Sequence, residues 1–373
     1  MPKPLSTDFD VTIVGAGPAG TAAAYDLSLA GKSVLLIDRH TFPRHKACAG
    51  GLTVKTLRAL RYPVDPVISR RFKSLEIGRG LDRCVRLRGR REICVTAVRA
   101  DLDDLCLAKT RAAGARFQTI DKILSVREHG DFVDLWTAEG RIRSGFLIGA
   151  DGARSRIRRL TGEFAGIRYG FAIEGTLAAD PAEQPRMAFD FNVVPSGYGW
   201  LFPKNNHTSI GLFTGNPGIT LKKRDLFAYA RRKLGRTDIA NLSGHAMGMG
   251  GWRYRPRSRR ILLAGDAAGL VDPLLGEGIY NAVHSGQLAA RAIASSESSH
   301  QPAGALYDRL LKSIRRDLWI CHLSAAWFYR LPTLGHLALT SRPVRYALLK
   351  GFGRGWTLGR IGLAFYRLPF LTN

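Results

Sequence analysis

Within VTIVGAGPAG, Gly15, Gly17 and Gly20 stand between an apolar run and a segment of helical composition, and Asp38 follows about twenty residues later. Gly15 permits a tight turn, Gly17 lets the backbone approach a pyrophosphate, and Gly20 allows a helix to pack closely on a strand. The N–H groups at the start of such a helix, with Ala16 inside the turn, favour a phosphate by roughly 0.3–1 kcal/mol or more. Asp38, with Arg39 beside it, can accept hydrogen bonds from both ribose hydroxyls and would repel a 2′-phosphate. The chemistry predicted is the binding of a dinucleotide with an unphosphorylated ribose.

Those residues need a strand over 10–14, a helix over 18–30 and a second strand over 33–38, a βαβ opening. The segment 95–118 has apolar residues at helical spacing and a stop at Gly114, and 132–136 with 141–148 read as a hairpin turning near Gly140. ILLAGDAAG from Ile261 reads as strand, Gly-Asp turn and helix, and SSESSHQPAG near residue 300 as an exposed connection. The fold class expected is α/β, with a Rossmann-like nucleotide domain built from 8–70, 95–170 and 255–300. A mainly β substrate domain from 71–94 and 171–254 is inserted in it, and 301–373 forms a helical, basic C-terminal region.

GADGARSRIRR around Asp151 and LLAGDAAGLVDPLLGEGI around Asp266 follow the first fingerprint in an order that resembles the p-hydroxybenzoate-hydroxylase-like flavoprotein superfamily. That resemblance implies FAD. It also implies that Asp266 bonds the ribityl chain, that Asp151 and Gly152 support the pyrophosphate region, and that Arg99 in VRADLD contacts the flavin. A helix after Gly276 would aim N–H groups at the flavin N1 and C2 carbonyl, with Gly278 and Ile279 against the ring.

Two further segments narrow the resemblance to the geranylgeranyl reductase family. PRHKACAGGL resembles that family's PRxKxCGG stretch, retaining Lys46, Cys48, Gly50 and Gly51, with Ala49 departing from the pattern. GYGWLFPKNNHTSIGLF resembles its YxWxFP segment and the GxG that follows: Tyr198, Trp200, Phe202, Pro203 and Gly211 match, and Phe213 replaces the last glycine. Strand alternation puts Tyr198, Trp200 and Phe202 on one face, able to line an apolar slot that Phe213 would narrow. The resemblance implies hydride transfer from reduced flavin to C=C bonds of a polyprenyl lipid or diphosphate, with Cys48 as candidate proton donor. A flavin monooxygenase or halogenase, and a membrane-associated protein with structural FAD, are the competing readings.

GFGRGWTLG near residue 351 lacks a preceding strand, so no second dinucleotide unit is visible and the electron donor stays open; the resemblance implies NADPH or ferredoxin. Five scattered cysteines without a CxxC pair argue against a disulfide framework or a metal site, and the N-terminus lacks the apolar core of a signal peptide. A cytoplasmic protein is expected. A net charge of +26 favours anionic partners, but no RNP, zinc-finger or helix-turn-helix signature supports nucleic acid.

The run 318–328 is apolar, yet Arg330 and Pro332 interrupt it short of the roughly 18–20 residues that span a bilayer. Beyond it Arg342, Arg345, Lys350, Arg354, Arg360 and Arg367 interleave with Trp356, Phe365 and Tyr366. This suits either peripheral contact with an anionic inner membrane face or a helical cap with a solvated basic side.

Overall fold

A computed structural model describes residues 8–367 except 82 and 181. Strand Phe9–Val14 runs parallel to Val34–Asp38 on one side and to Gly140–Gly149 on the other. Arg116–Thr119 extends this seven-stranded sheet at one edge. Val133–Thr137 and Ile123–Glu128 extend it at the other, with Ile261–Leu263 paired in parallel to Gly140–Gly149. Parallel strands covered on both faces must be apolar throughout, as Val11, Ile13, Leu35, Leu36, Leu147 and Ile148 are, none of them more than 1% exposed. Helix Pro18–Leu29 lies against Arg99–Ala112 and Ile279–Ser299. It approaches the last so closely that a methyl at Gly286 would fall 2.1 Å from the Ala19 carbonyl oxygen.

A second seven-stranded sheet runs in the order Ala240–Met249, Arg168–Ala178, His207–Thr214, Gly197–Pro203, Ala188–Phe191, Ser74–Arg79, Arg83–Arg88. Its pairs are antiparallel except that between Ala188–Phe191 and Ser74–Arg79. Helix Lys223–Leu234 closes one face through Leu226, Tyr229 and Ala230, packed on Leu201, Ile210 and Leu212. The opposite face carries Tyr198, Trp200, Phe202 and Phe213. Helices Lys312–Arg330, Pro332–Thr340 and Arg342–Gly353 reach that aromatic cluster with Phe328, Leu339 and Leu349.

Three local expectations differ from the structure. Cys94–Ala97 is a strand, because β-branched Val95 and Thr96 find partners on both sides in Gly51–Thr53 and Ile68–Phe72, and the helix starts only at Arg99. After Ile261–Leu263 comes one 3-10 turn, Gly265–Ala268, ended by Gly269 at φ +71°, and the long helix waits until Ile279. The serine-rich stretch near 300 is the last turn of that helix: the hydroxyls of Ser298 and Ser299 bond back to the Ser295 carbonyl, and the helix stops at His300.

Candidate active site

At the nucleotide end the backbone dictates glycine. Gly15 has φ +103° and a methyl there would lie 2.4 Å from the Ala150 oxygen, while a methyl at Gly20 would lie 1.8 Å from the Gly15 oxygen. Above Gly17 the space is open, and its nearest side-chain neighbour is Arg44 Nη2. Arg44 reaches Asp103 at 3.4 Å with that nitrogen, while its buried Nε has no partner. Asp38 accepts the Ala16 N–H at 2.8 Å and the His40 N–H at 3.0 Å, which fixes the turn and leaves lone pairs on each oxygen for further donors. Arg39 is exposed and stands against His40 rather than over the turn. An open glycine turn, uncapped helix N–H groups on Pro18–Leu29 and an unsatisfied guanidinium nitrogen together fit a pyrophosphate.

Asp151 spends its carboxylate locally. It accepts Ser155 Oγ at 2.5 Å, Arg156 N at 2.5 Å and Ile157 N at 3.1 Å, capping helix Arg156–Thr161. Burial raises its pKa all the same. What Asp151 offers a ligand is therefore the shape of the turn it holds, in which Gly152 sits at φ +79° with open space beside it.

The segment carrying Lys46 and Cys48 has no regular structure and is fastened by groups from the second sheet. Glu174 Oε1 accepts the Cys48 N–H at 2.7 Å, Lys204 Nζ donates to the Ala49 carbonyl at 2.8 Å, and Lys46 Nζ touches His245 Nε2. Glu174, Lys204 and His245 all belong to the second sheet or its edge. Burial, with Arg99 nearby, lowers Lys46 to about 8, and burial with Lys46 lowers His245 to about 3. Lys204 falls to about 8 through burial, against the pull of Cys48 and Glu174, and Glu174 is raised by burial. Although burial opposes its charge, Arg99 is held above its ordinary range by Asp103, which it grips at 3.0 and 2.8 Å, with Cys48 as a lesser influence. Gly50 at φ +72° and Gly51 supply the tight passage, because a methyl at Gly51 would meet the Phe202 ring at 2.5 Å.

The aromatic strand forms the far wall. Trp200 lies over Gly211, its cross-strand partner, where a methyl would fall 2.1 Å from the indole, and its Nε1 donates to Ser209 Oγ at 3.2 Å. Tyr198 meets Phe213 at 5.2 Å between centroids, and Phe189 meets Tyr198 at 5.4 Å and Phe202 at 5.2 Å. Phe213, 1% exposed, lies 3.6 Å from the position of a methyl on Gly276. Pro203 ties the wall to strand Cys94–Ala97, its carbonyl accepting Thr96 Oγ1 at 2.8 Å.

Asp266 and the loop before helix Ile279–Ser299 close the site. Asp266 is raised by burial and opposed by Lys46, and its Oδ1 is 3.4 Å from the position of a methyl on Gly278. Tyr198 donates its hydroxyl to the Leu275 carbonyl, Tyr329 donates to Leu274 at 2.8 Å, and Glu277 accepts Thr53 Oγ1 at 2.7 Å and pairs with Lys55 at 2.6 Å. Burial pushes Asp272 up to about 6. Gly276, at φ +66°, lets the loop turn between these anchors, and Ile279 begins the helix. Sequence reasoning did not find Arg44, Glu174, Lys204 or His245. The parity that puts Glu174 opposite Gly211, and Lys204 two residues beyond Phe202, was the available signal.

Among the described residues no cluster could hold a metal, and no helix is long and apolar enough to cross a membrane. Within the C-terminal region Arg354 and Arg360 lie on the Trp356 ring at 5.4 and 5.0 Å, and Lys350 on Tyr346 at 5.1 Å. The side chains of Phe365, Tyr366 and Arg367 lie outside the described residues.

Residues 8–187 match the model of an FAD binding domain. The chain is 32% identical over 373 aligned positions to a menaquinone reductase of Mycobacterium tuberculosis, covering 89% of this chain and 88% of that one. With a geranylgeranyl diphosphate reductase of Rhodobacter capsulatus it shares 29% identity over 79% and 77% of the two chains. Its fold superposes on a geranylgeranyl bacteriochlorophyll reductase-like protein from Thermoplasma acidophilum with a TM-score of 0.81 at 21% identity, over 97% and 99% of the chains. A flavin-dependent brominase, Bmp2, shares the fold at 0.74 and 18% identity, over 96% and 98%. The chain is an FAD-dependent oxidoreductase and belongs to the geranylgeranyl reductase family.

Proposed function

We propose that this enzyme saturates C=C bonds in the polyprenyl chain of a lipid or diphosphate. The observation that carries the reading is the meeting of two unlike surfaces: an apolar wall of Tyr198, Trp200, Phe202 and Phe189 abuts Gly51, three residues from a thiol set among Arg99, Lys46 and Lys204. An extended hydrocarbon has its complement in the wall, and charge that develops at the reacting bond has its complement beyond it. The names of the M. tuberculosis and R. capsulatus relatives point to substrates that carry such chains.

Gly15, Ala16, Gly17, Gly20 and Asp38 would hold the adenosine end of FAD, with Arg44 added at the pyrophosphate. Asp266, Lys46, Arg99, Gly152, Gly276, Gly278 and Ile279 would surround its other half. When bound and reduced, the flavin supplies the hydride. Cys48 is assigned as the donor of the proton to the other alkene carbon, and the guanidinium of Arg99 stabilises the thiolate left behind. Tyr198, Trp200, Phe202 and Gly211 orient the chain and exclude water. Reducing equivalents come from NADPH or a ferredoxin.

Anaerobic reduction of the bound flavin, followed by geranylgeranyl diphosphate or a prenylated quinone, tests the reading. Flavin reoxidation and a product heavier by hydrogen pairs are expected. Product formation only in the presence of oxygen would replace it with monooxygenation or halogenation, and a flavin that no donor reduces would make the cofactor structural.

A further inference from the structure

Apolar side chains on the surface of the C-terminal helices are not scattered. Along Lys312–Arg330 and Pro332–Thr340 stand Trp319, Leu323, Trp327, Leu331, Leu334 and Leu337, each between 42% and 55% exposed. The first three recur at four-residue intervals and so share one side of the helix, and the next three continue the ridge across the bend at Pro332. A single exposed leucine is ordinary, but six large apolar groups in succession mark a surface that meets something apolar.

The charge beside the ridge is one-sided. Exposed Lys312 and Arg316 precede it, Arg330 interrupts it and Arg342 follows it. From residue 309 to the end of the sequence there are eleven lysines and arginines and one acid, Asp317, which is half-buried and bonded to Thr357. An apolar strip framed by cations matches the acyl boundary and anionic headgroups of a bilayer leaflet. In the following segment 342–360 Trp356 and Tyr346 carry their own cations, and in the ridge Trp319 rests on Trp252 at 4.8 Å, which leaves the leucines and Trp327 as its open part.

The ridge also opens inward. A hollow of about 370 Å³ lies between Leu274 and the helix residues Leu323, Ser324, Trp327 and Phe328. Leu323 and Trp327 belong to the ridge, whereas Phe328 is buried and meets Phe191 at 4.9 Å, which in turn meets Tyr198 at 5.6 Å. Packed aromatic rings thus connect the exposed ridge to the aromatic wall.

We propose that this ridge seats the enzyme on an anionic bilayer and that the hollow between Leu274 and Trp327 is the mouth through which a prenyl chain leaves the bilayer for the aromatic wall. The second half rests on the reductase reading above. The flavin-loaded enzyme is sedimented with phosphatidylcholine vesicles, with and without phosphatidylglycerol. Binding is expected to depend on phosphatidylglycerol, and Leu334→Glu/Leu337→Glu to weaken it at least tenfold without changing flavin content or turnover of dispersed geranylgeranyl diphosphate. Leu323→Trp, at the mouth, is expected to slow turnover of a vesicle-borne prenyl lipid at least tenfold. Vesicle binding undiminished in the double variant overturns the proposal, as does a wild-type dimer that the double variant splits while neither protein binds vesicles. Vesicle binding lost on substitution, with no prenyl compound ever reoxidising the flavin, sinks the reductase reading and leaves the docking surface standing. Turnover of both substrates with no vesicle binding sinks the surface alone.

Discussion

The two faces of the second sheet are made by alternate residues of the same strands and could hardly differ more. On one, Leu201, Ile210 and Leu212 are sealed by helix Lys223–Leu234, and Asp190, fully buried, holds that helix through Tyr229 Oη at 2.7 Å and Lys233 Nζ at 2.9 Å. On the other, Trp200, Phe202, Glu174 and His245 face segments that arrive from residues 44–51, 272–278 and 312–353. The first face is closed by a nearby element and has only stability to gain. The second is closed by pieces from distant parts of the chain, and its polar groups Glu174 and His245 are satisfied by one of them, residues 44–51. A single period-two pattern can thus encode a foundation and a candidate site at once.

The sharpest way to break this contrast is at Asp190. Asp190→Ala leaves Lys233 and the Tyr229 hydroxyl buried without their partner and is expected to cost about 3–5 kcal/mol, measured by denaturant unfolding, with turnover per bound flavin unchanged. Leu212→Ala on the same face should cost about 3 kcal/mol and likewise spare turnover. A catalytic defect in either variant, with flavin content retained, would show that the faces are not independent. Across the sheet, Gly211→Val drives the Trp200 ring from its seat, and kcat/KM for prenyl substrate is expected to fall about 100-fold, about 2.7 kcal/mol of transition-state stabilisation, while the flavin spectrum is kept.

The smallest effect concerns pH. With the Asp272 carboxyl raised from 3.8 to about 6, the native state retains a proton in that window which the unfolded chain releases. Stability therefore falls as pH rises through the window and stays lower above it. Asp272→Asn should raise the melting temperature at pH 8, and the gain should vanish below pH 4.

The βαβ opening was legible because its requirements are local: Gly15, Gly20 and Asp38 act on atoms a few residues or one strand away, and contiguous sequence records such constraints. The shared face of Tyr198, Trp200 and Phe202 was legible through strand parity. Residues 95–97 read as helix because the partners of strand Cys94–Ala97, Gly51–Thr53 and Ile68–Phe72, lie in other segments and only pairing makes it a strand. Glu174, Lys204 and His245 were missed for the same reason: parity gives their face of the sheet, but only register brings them to Cys48, Ala49 and Lys46 across 126, 155 and 199 residues. The cap at Ser155 was legible in principle, since a serine directly before a helical run is a cap signature, whereas Asp151 reaches the same helix only through the turn between them.

The loop between Asp272 and Gly278 is tethered twice at consecutive carbonyls, Leu274 to Tyr329 on the outer helix and Leu275 to Tyr198 on the inner wall. Two tyrosines from elements 131 residues apart thus grip adjacent peptide units of one loop, and Gly276, at φ +66°, turns the chain directly after them toward the helix that starts at Ile279.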